Sequence, residues 1–289
     1  MLSTEYRPIG VFDSGVGGLS ILQEIRRELP DEDILYFADS AHCPYGVRSE
    51  QEIRDLTTHA VTFMTEKRCK LIAIACNTAS ATSLAYLRNT FSLPIVGLEP
   101  ALKPATQLTR NKRVGVLATE VTLKAEPLRR LREQYGAGIV LVTAPCPGLV
   151  ELVEAGITAG YAVDELLAEC LAPMNEAKID TLVLGCTHYP FVGQAIARLL
   201  PANVRIVDSG EAVARQVHHV LERAGDRKTG SLPAQLQAFT TGEPTAFAKQ
   251  LSRLLGYRMP VRGVICHEGT WAESPREAAT DSPPVTPET

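Results

Sequence analysis

No stretch of the 289-residue chain reaches the roughly 18 consecutive apolar residues that a membrane-spanning helix needs. The first residues, MLSTEYRPIG, lack the apolar core of a secretory signal, so a cytoplasmic protein is expected. Its 29 Lys and Arg, against 33 Asp and Glu, form no long run and leave a net charge of −4. Neither nucleic acid nor a membrane surface is therefore an expected partner. Seven cysteines include no Cys-x-x-Cys pair, which suits neither a disulfide framework nor a zinc ribbon. Most are expected as free thiols, with Cys69 and Cys170 as small buried hydrophobes in helical stretches. There is one tryptophan, and the few aromatics and methionines form no stripe. A dinucleotide fingerprint and a phosphate-binding P-loop are missing, and no lysine follows a strand end where a Schiff base could form. No cofactor and no metal are expected.

What is present is an alternation of short apolar runs with amphipathic stretches. Strands are predicted at Pro8–Phe12, Ile34–Ala38, Leu71–Ala75, Ile95–Gly97, Val114–Leu117, Ile139–Thr143, Leu182–Gly185 and Val204–Val207. Helices are predicted at Ser49–Lys67 and Tyr161–Ala177, among others. This rhythm means an α/β protein with parallel sheets, whose ligands bind beyond the carboxyl ends of the strands. A faint repeat supports two similar halves facing each other. RPIGVFDS at Arg7–Ser14 echoes RVGVLAT at Arg113–Thr119, and LIAIACNT at Leu71–Thr78 echoes TLVLGCTH at Thr181–His188. The expected domains are 1–97 with 211–270, then 98–210, with a disordered tail over 271–289, because Glu273–Thr289 holds four prolines and almost no large apolar residue.

Three places can carry chemistry. Asp13-Ser14-Gly15-Val16-Gly17-Gly18 ends one strand and opens a helix near Leu19. Its glycines permit close backbone approach, with Asp13 or Ser14 as an ordinary N-cap being the plainer reading. Cys76-Asn77-Thr78 puts a thiol at a helix start, where free amides and the helix dipole should lower its pKa, and the two following residues offer donors to a carboxylate. Cys186-Thr187-His188 repeats that arrangement, with His188 able to share a proton with Cys186. A buried structural thiol is the alternative for either cysteine taken alone. Cys76, Cys186 and His188 are zinc ligands by type, but their spacing is not that of a structural site.

Taken together, FDSGVGGLS, the PYG of Pro44–Gly46, ACNTAS at Ala75–Ser80 and GCTHYP at Gly185–Pro190 resemble the glutamate racemases of the aspartate/glutamate racemase superfamily. PGLVELVEAG at Pro147–Gly156 is similar to that family's second-half acidic motif. The resemblance implies two α/β domains with the site between them, and cofactor-free conversion of L- to D-glutamate for bacterial peptidoglycan. It implies that Cys76 and Cys186 are catalytic thiols, assisted by Asp13 and His188 respectively. Glu154 is the matching second-half carboxylate, with Glu151 one helical turn away as the other candidate. Substrate contacts are implied for Asp13, Ser14, Tyr45, Gly46, Asn77, Thr78, Thr187 and His188. Activator-dependent members carry an N-terminal extension, whereas seven residues precede the first predicted strand here, so that regulation is not expected. A homodimer is compatible with the sequence.

Inverting a stereocentre by proton transfer needs a base on one face and an acid on the other, and opposed thiols of matched chemistry meet that need. The rival readings are a racemase of the same superfamily acting on aspartate or a hydantoin, a thiol hydrolase or amidotransferase using one cysteine with His188, and a protein that only binds a small dicarboxylate.

Overall fold

The computed structural model describes residues 6–229, 232–267 and 270–277. The first half is β1 (Ile9–Asp13), α1 (Leu19–Glu28), β2 (Ile34–Ala38), α2 (Glu50–Glu66), β3 (Leu71–Ile74), α3 (Asn77–Thr90) and β4 (Ile95–Gly97). The second half is α4 (Leu102–Leu108), β5 (Arg113–Ala118), α5 (Glu120–Lys124), α6 (Glu126–Tyr135), β6 (Val140–Pro145), α7 (Leu149–Glu154), α8 (Tyr161–Glu176), β7 (Thr181–Gly185), α9 (Gly193–Leu199) and β8 (Arg205–Val207). The chain then returns through α10 (Gly210–Ala224), which lies against α1, into β9 (Leu236–Thr240), α11 (Pro244–Leu255), β10 (Val261–His267) and β11 (Thr270–Glu277).

Two sheets result, ordered β11-β10-β9-β2-β1-β3-β4 and β6-β5-β7-β8, with every pairing parallel except β10 with β11. The segment β2-β1-β3-β4 has the same order as β6-β5-β7-β8 with each number raised by four. The faint sequence repeat thus corresponds to real equivalence: β1 matches β5 and β3 matches β7. The central strands β1, β2, β3 and β7 are buried along their whole length, which explains their unbroken apolar runs. One apolar cluster runs from the first sheet (Ile9, Val11, Tyr36) into the second half (Leu117, Leu182, Leu184), so the halves share a core.

The structure departs from expectation in the tail, in one cysteine pair and at the start of α1. Cys69, buried as expected, lies between α2 and β3 and not on a helix. Residues 271–277, expected to begin a disordered tail, are strand β11, while 278–289 lie outside the described residues. The ladder with β10 and the buried Trp271, stacked on Phe37 at 5.2 Å, supply what the sparse apolar content did not advertise. Cys170, expected as a free thiol, is disulfide-bonded to Cys146, their Cα atoms 5.4 Å apart. Cys146 follows β6 and Cys170 lies on α8, which packs on that strand, a proximity that a 24-residue separation conceals. Finally, α1 starts with Gly18 as N-cap and no side-chain cap, so neither Asp13 nor Ser14 serves that purpose.

Candidate active site

Strands β1, β3, β5 and β7 all end on one side, where the two sheets face each other across a small cavity. Ser14 follows β1, Thr119 follows β5, and Cys76 and Cys186 follow the ends of β3 and β7; all four line that cavity, as do Asn77, Thr78, Thr187 and His188. Tyr45 and Gly46, in a 3₁₀ turn after β2, close another side. The cavity is partly open to solvent and measures about 20 Å³, room for about one water.

Cys76 is the N-cap of α3, and its Sγ accepts from the Ala79 amide at 3.5 Å and lies 3.7 Å from Ser14 Oγ. The lowered pKa expected of a thiol in that place is not found. Burial pushes it up to about 12, the Asp13 charge adds to the rise, and the Ala79 and Ser14 contacts only partly counter it. Cys186 is followed by a 3₁₀ turn, Tyr189–Val192, and not directly by the α-helix expected there. Its Sγ lies 3.7 Å from His188 Nδ1, and His188 Nε2 lies 2.6 Å from Glu154 Oε1. Burial works against a charged His188, but hydrogen bonds with Cys186, Cys43 and Glu154 outweigh it and hold the imidazole protonated well above its usual range. The same contact keeps Glu154 below the ordinary carboxylate range despite its burial. Between the two acidic candidates, the geometry distinguishes clearly: Glu154 reaches His188, and Glu151 is exposed.

Asp13 is wholly buried and lies behind the cavity wall. Its Oδ1 accepts from the Gly15 amide at 2.8 Å and its Oδ2 from Thr187 Oγ1 at 3.0 Å. Burial lifts its pKa from 3.8 to about 6, with His188 pulling the other way. Neither Asp13 nor Glu154 lines the cavity; they reach it through Thr187 and His188. The halves are tied at several points. Glu154 Oε1 accepts from the Val16 amide at 2.8 Å, Ser20 Oγ donates to the Thr187 carbonyl at 3.0 Å, and Thr78 Oγ1 meets Thr119 Oγ1 at 3.0 Å. The glycines of the β1–α1 turn permit this closeness. A Cβ on Gly15 would collide with Glu154, and one on Gly17 with His188 and Thr187.

Asn77 Nδ2 is buried and has no hydrogen-bond partner among the described residues, a donor directed where a ligand would sit. Tyr45 OH, by contrast, is engaged with the buried Asp39 at 2.6 Å, and Asp39 also holds His42 and Thr241. Sequence reasoning missed Thr119, Val150 and Pro44 in the lining, and Cys43 beside Glu154. Thr119 had a signal, since it is the counterpart of Ser14 in the internal repeat. Pro44 and Val150 fall within the PYG and PGLVELVEAG motifs, whereas Cys43 had no signal. Among the described residues, Cys43, Glu154 and His188 form a group of possible ligand atoms within 4.8 Å of one another, a different set from Cys76, Cys186 and His188. No helix among the described residues is long and apolar enough to cross a membrane.

Residues 9–217 match the family model for Asp/Glu/hydantoin racemases. The chain is 45% identical over 256 residues to a glutamate racemase of Pseudomonas paraeruginosa (strain DSM 24068 / PA7), covering 88% of this chain and 96% of that one. The structure is similar to glutamate racemase isoform RacE1 of Bacillus anthracis (TM-score 0.84, 32% identity, 92% of this chain and 99% of the other). It is also similar to Escherichia coli glutamate racemase in complex with L-glutamate and the activator UDP-MurNAc-ala (TM-score 0.77, 37% identity, 86% and 94%).

Proposed function

The chain belongs to the Asp/Glu/hydantoin racemase family, among the glutamate racemases, and from that premise we propose that it interconverts L- and D-glutamate by proton transfer between two opposed cysteines. The observation that carries this reading is that Cys76 and Cys186, at equivalent strand ends of the two halves, line the same cavity. One thiolate removes the α-proton and the thiol on the other face supplies a new one, so the planar carbanion is reprotonated with inversion. His188, protonated, sets a positive charge beside Cys186, while Asp13, poised near 6, takes part in charging and discharging the Cys76 side. Glu154 orients His188 and balances its charge. Ser14, Asn77, Thr78 and Thr187 supply donors to the carboxylates of the substrate, where charge grows in the transition state. Tyr45 and Gly46 shield the site from water.

No cofactor enters this scheme. The working halves are 1–97 with 211–270, and 98–210, with β11 added to the first. The product D-glutamate serves bacterial peptidoglycan synthesis in the cytoplasm, and a homodimer is compatible with this reading.

The test is incubation with L-glutamate in heavy water, following optical rotation and deuterium at Cα. Rotation should decay to zero. At early times deuterium should appear in the D-enantiomer and be almost absent from recovered L-glutamate, because the removed proton and the added one belong to different thiols. Early label in both enantiomers would leave a single base, and unchanged, unlabelled glutamate would end the racemase reading for this chain.

A further inference from the structure

Cys43 belongs to the loop after β2 in the first half, whereas Glu154 ends α7 and His188 follows β7 in the second. Cys43 Sγ lies 3.5 Å from Glu154 Oε1, which is itself 2.6 Å from His188 Nε2, and the three ligand atoms all fall within 4.8 Å. We propose that thiol, carboxylate and imidazole form an inhibitory site for a borderline-soft divalent cation of the zinc type, closed across the two halves. The donor set of one sulfur, one nitrogen and one oxygen is of the kind zinc accepts and magnesium or calcium do not favour. Zinc–ligand bonds of about 2.0–2.3 Å in a tetrahedron place ligand atoms roughly 3.3–3.8 Å apart. The sulfur–oxygen separation already has that value. The nitrogen–oxygen pair must open by roughly 0.7 Å, to where a cation replaces the proton now shared there. Three protein ligands leave a fourth position for water.

The balance is simple. The cation enters, the S–H bond of Cys43 and the Nε2–H bond of His188 break, bonds from sulfur and nitrogen to the metal form, and two protons leave to solvent. His188 keeps its Nδ1–H toward Cys186, but its Nε2 is fixed on the metal, the imidazole is no longer a free imidazolium, and Glu154 is withdrawn from positioning it. The first and second halves also become pinned through Cys43. Cys43 and Glu154 are only partly buried, which gives an ion a way in. The inhibition rests on the part proposed for His188, but the site itself does not.

The experiment uses the full chain, reduced with a phosphine and freed of metal with a chelator that is then removed. Cobalt(II), which reports thiolate ligation by a near-ultraviolet charge-transfer band, is titrated into wild type, Cys43→Ser and Cys76→Ser. The band should appear in wild type and Cys76→Ser and be lost in Cys43→Ser. Zinc should inhibit racemisation by the wild type, and Cys43→Ser should need more than about tenfold more zinc for the same fractional loss relative to its own metal-free rate, since even a lost outer-shell partner costs 10–100-fold in affinity. On the wild type alone, zinc should protect Cys43 from alkylation, read peptide by peptide, and leave Cys76 reactive. Equal zinc sensitivity of Cys43→Ser, a surviving band in that variant, or protection confined to Cys76 and Cys186 would overturn the site, as would absence of any cobalt band. Metal-free protein that fails to racemise glutamate overturns the proposed function instead, and leaves the cobalt and alkylation readouts standing.

Discussion

Cys76 sits where a helix start should favour a thiolate, yet burial prevails. The magnitudes decide it. Full desolvation moves a pKa by about 3–5 units, or about 4–7 kcal/mol, whereas a helix terminus contributes about 0.3–1 kcal/mol. A neutral thiol at Cys76 suits the acid of the proposed two-base scheme. Cys76→Ala and Cys186→Ala should therefore each reduce racemisation by at least about 10²–10⁴-fold with unchanged circular dichroism. Near wild-type turnover by either would remove the two-base scheme. Asp13 provides a pH test. Its carboxyl is raised from 3.8 to about 6, so kcat/KM should fall as pH drops through about 6, and Asp13→Asn should lose that limb together with about 10²–10⁴-fold of turnover. The same shift has a stability consequence. The fold prefers Asp13 protonated, so its contribution is fully present below about pH 4 and is lost as pH rises through 6. Asp13→Asn should accordingly be the more urea-resistant chain at pH 8, by up to about 3 kcal/mol, and lose the advantage below pH 4.

At the scale of elements, the β1–α1 turn shows why its glycines matter. Gly15 and Gly17 are not needed for left-handed backbone, since neither has positive φ, but for the approach of Glu154 and His188 from the other half. Gly17→Ala should lower kcat/KM more than about tenfold by displacing His188, whose place within about 1 Å matters for proton transfer. Measured against it, Ser49→Ala breaks the capping box of α2 with Glu52 and should cost about 1 kcal/mol in urea unfolding while leaving kcat unaltered. Activity lost in proportion to stability in both variants would make the glycine merely structural. The sequence made β1, β2, β3 and β7 readable because strands buried on both faces must be continuously apolar. It made the thiols readable because each ends such a strand. It did not reveal β11, whose polar residues are held by a ladder and by one tryptophan, nor the Cys146–Cys170 bond, which depends on how α8 lies against β6. Cys43 and Asp39 escaped for the same reason, as loop and strand-end residues whose partners come from tertiary placement.

On the scale of the whole molecule, the two halves repeat one strand order and bring matching ends together, so that Cys76 and Cys186 line one cavity. The cavity between them has room for about one water, so an amino acid the size of glutamate can enter only when the halves part. Polar links across the cleft, such as Thr78 with Thr119 at 3.0 Å, are compatible with that, because each is modest against water, at about 0.5–1.5 kcal/mol. The continuous apolar cluster elsewhere keeps the halves attached as they move. Joining Thr78→Cys to Thr119→Cys by oxidation tests this directly, since their side-chain tips already touch across the cleft. The reduced double variant should turn over, the oxidised one should lose more than about tenfold, and reductant should restore the rate, while each single variant treated alike stays insensitive. Proton exchange into glutamate bound before oxidation should persist in the locked protein even as release stops. If the cross-linked protein turns over as fast as the reduced one, substrate exchange does not require separation of the halves, and closure is a resting feature of the fold and not a step of catalysis.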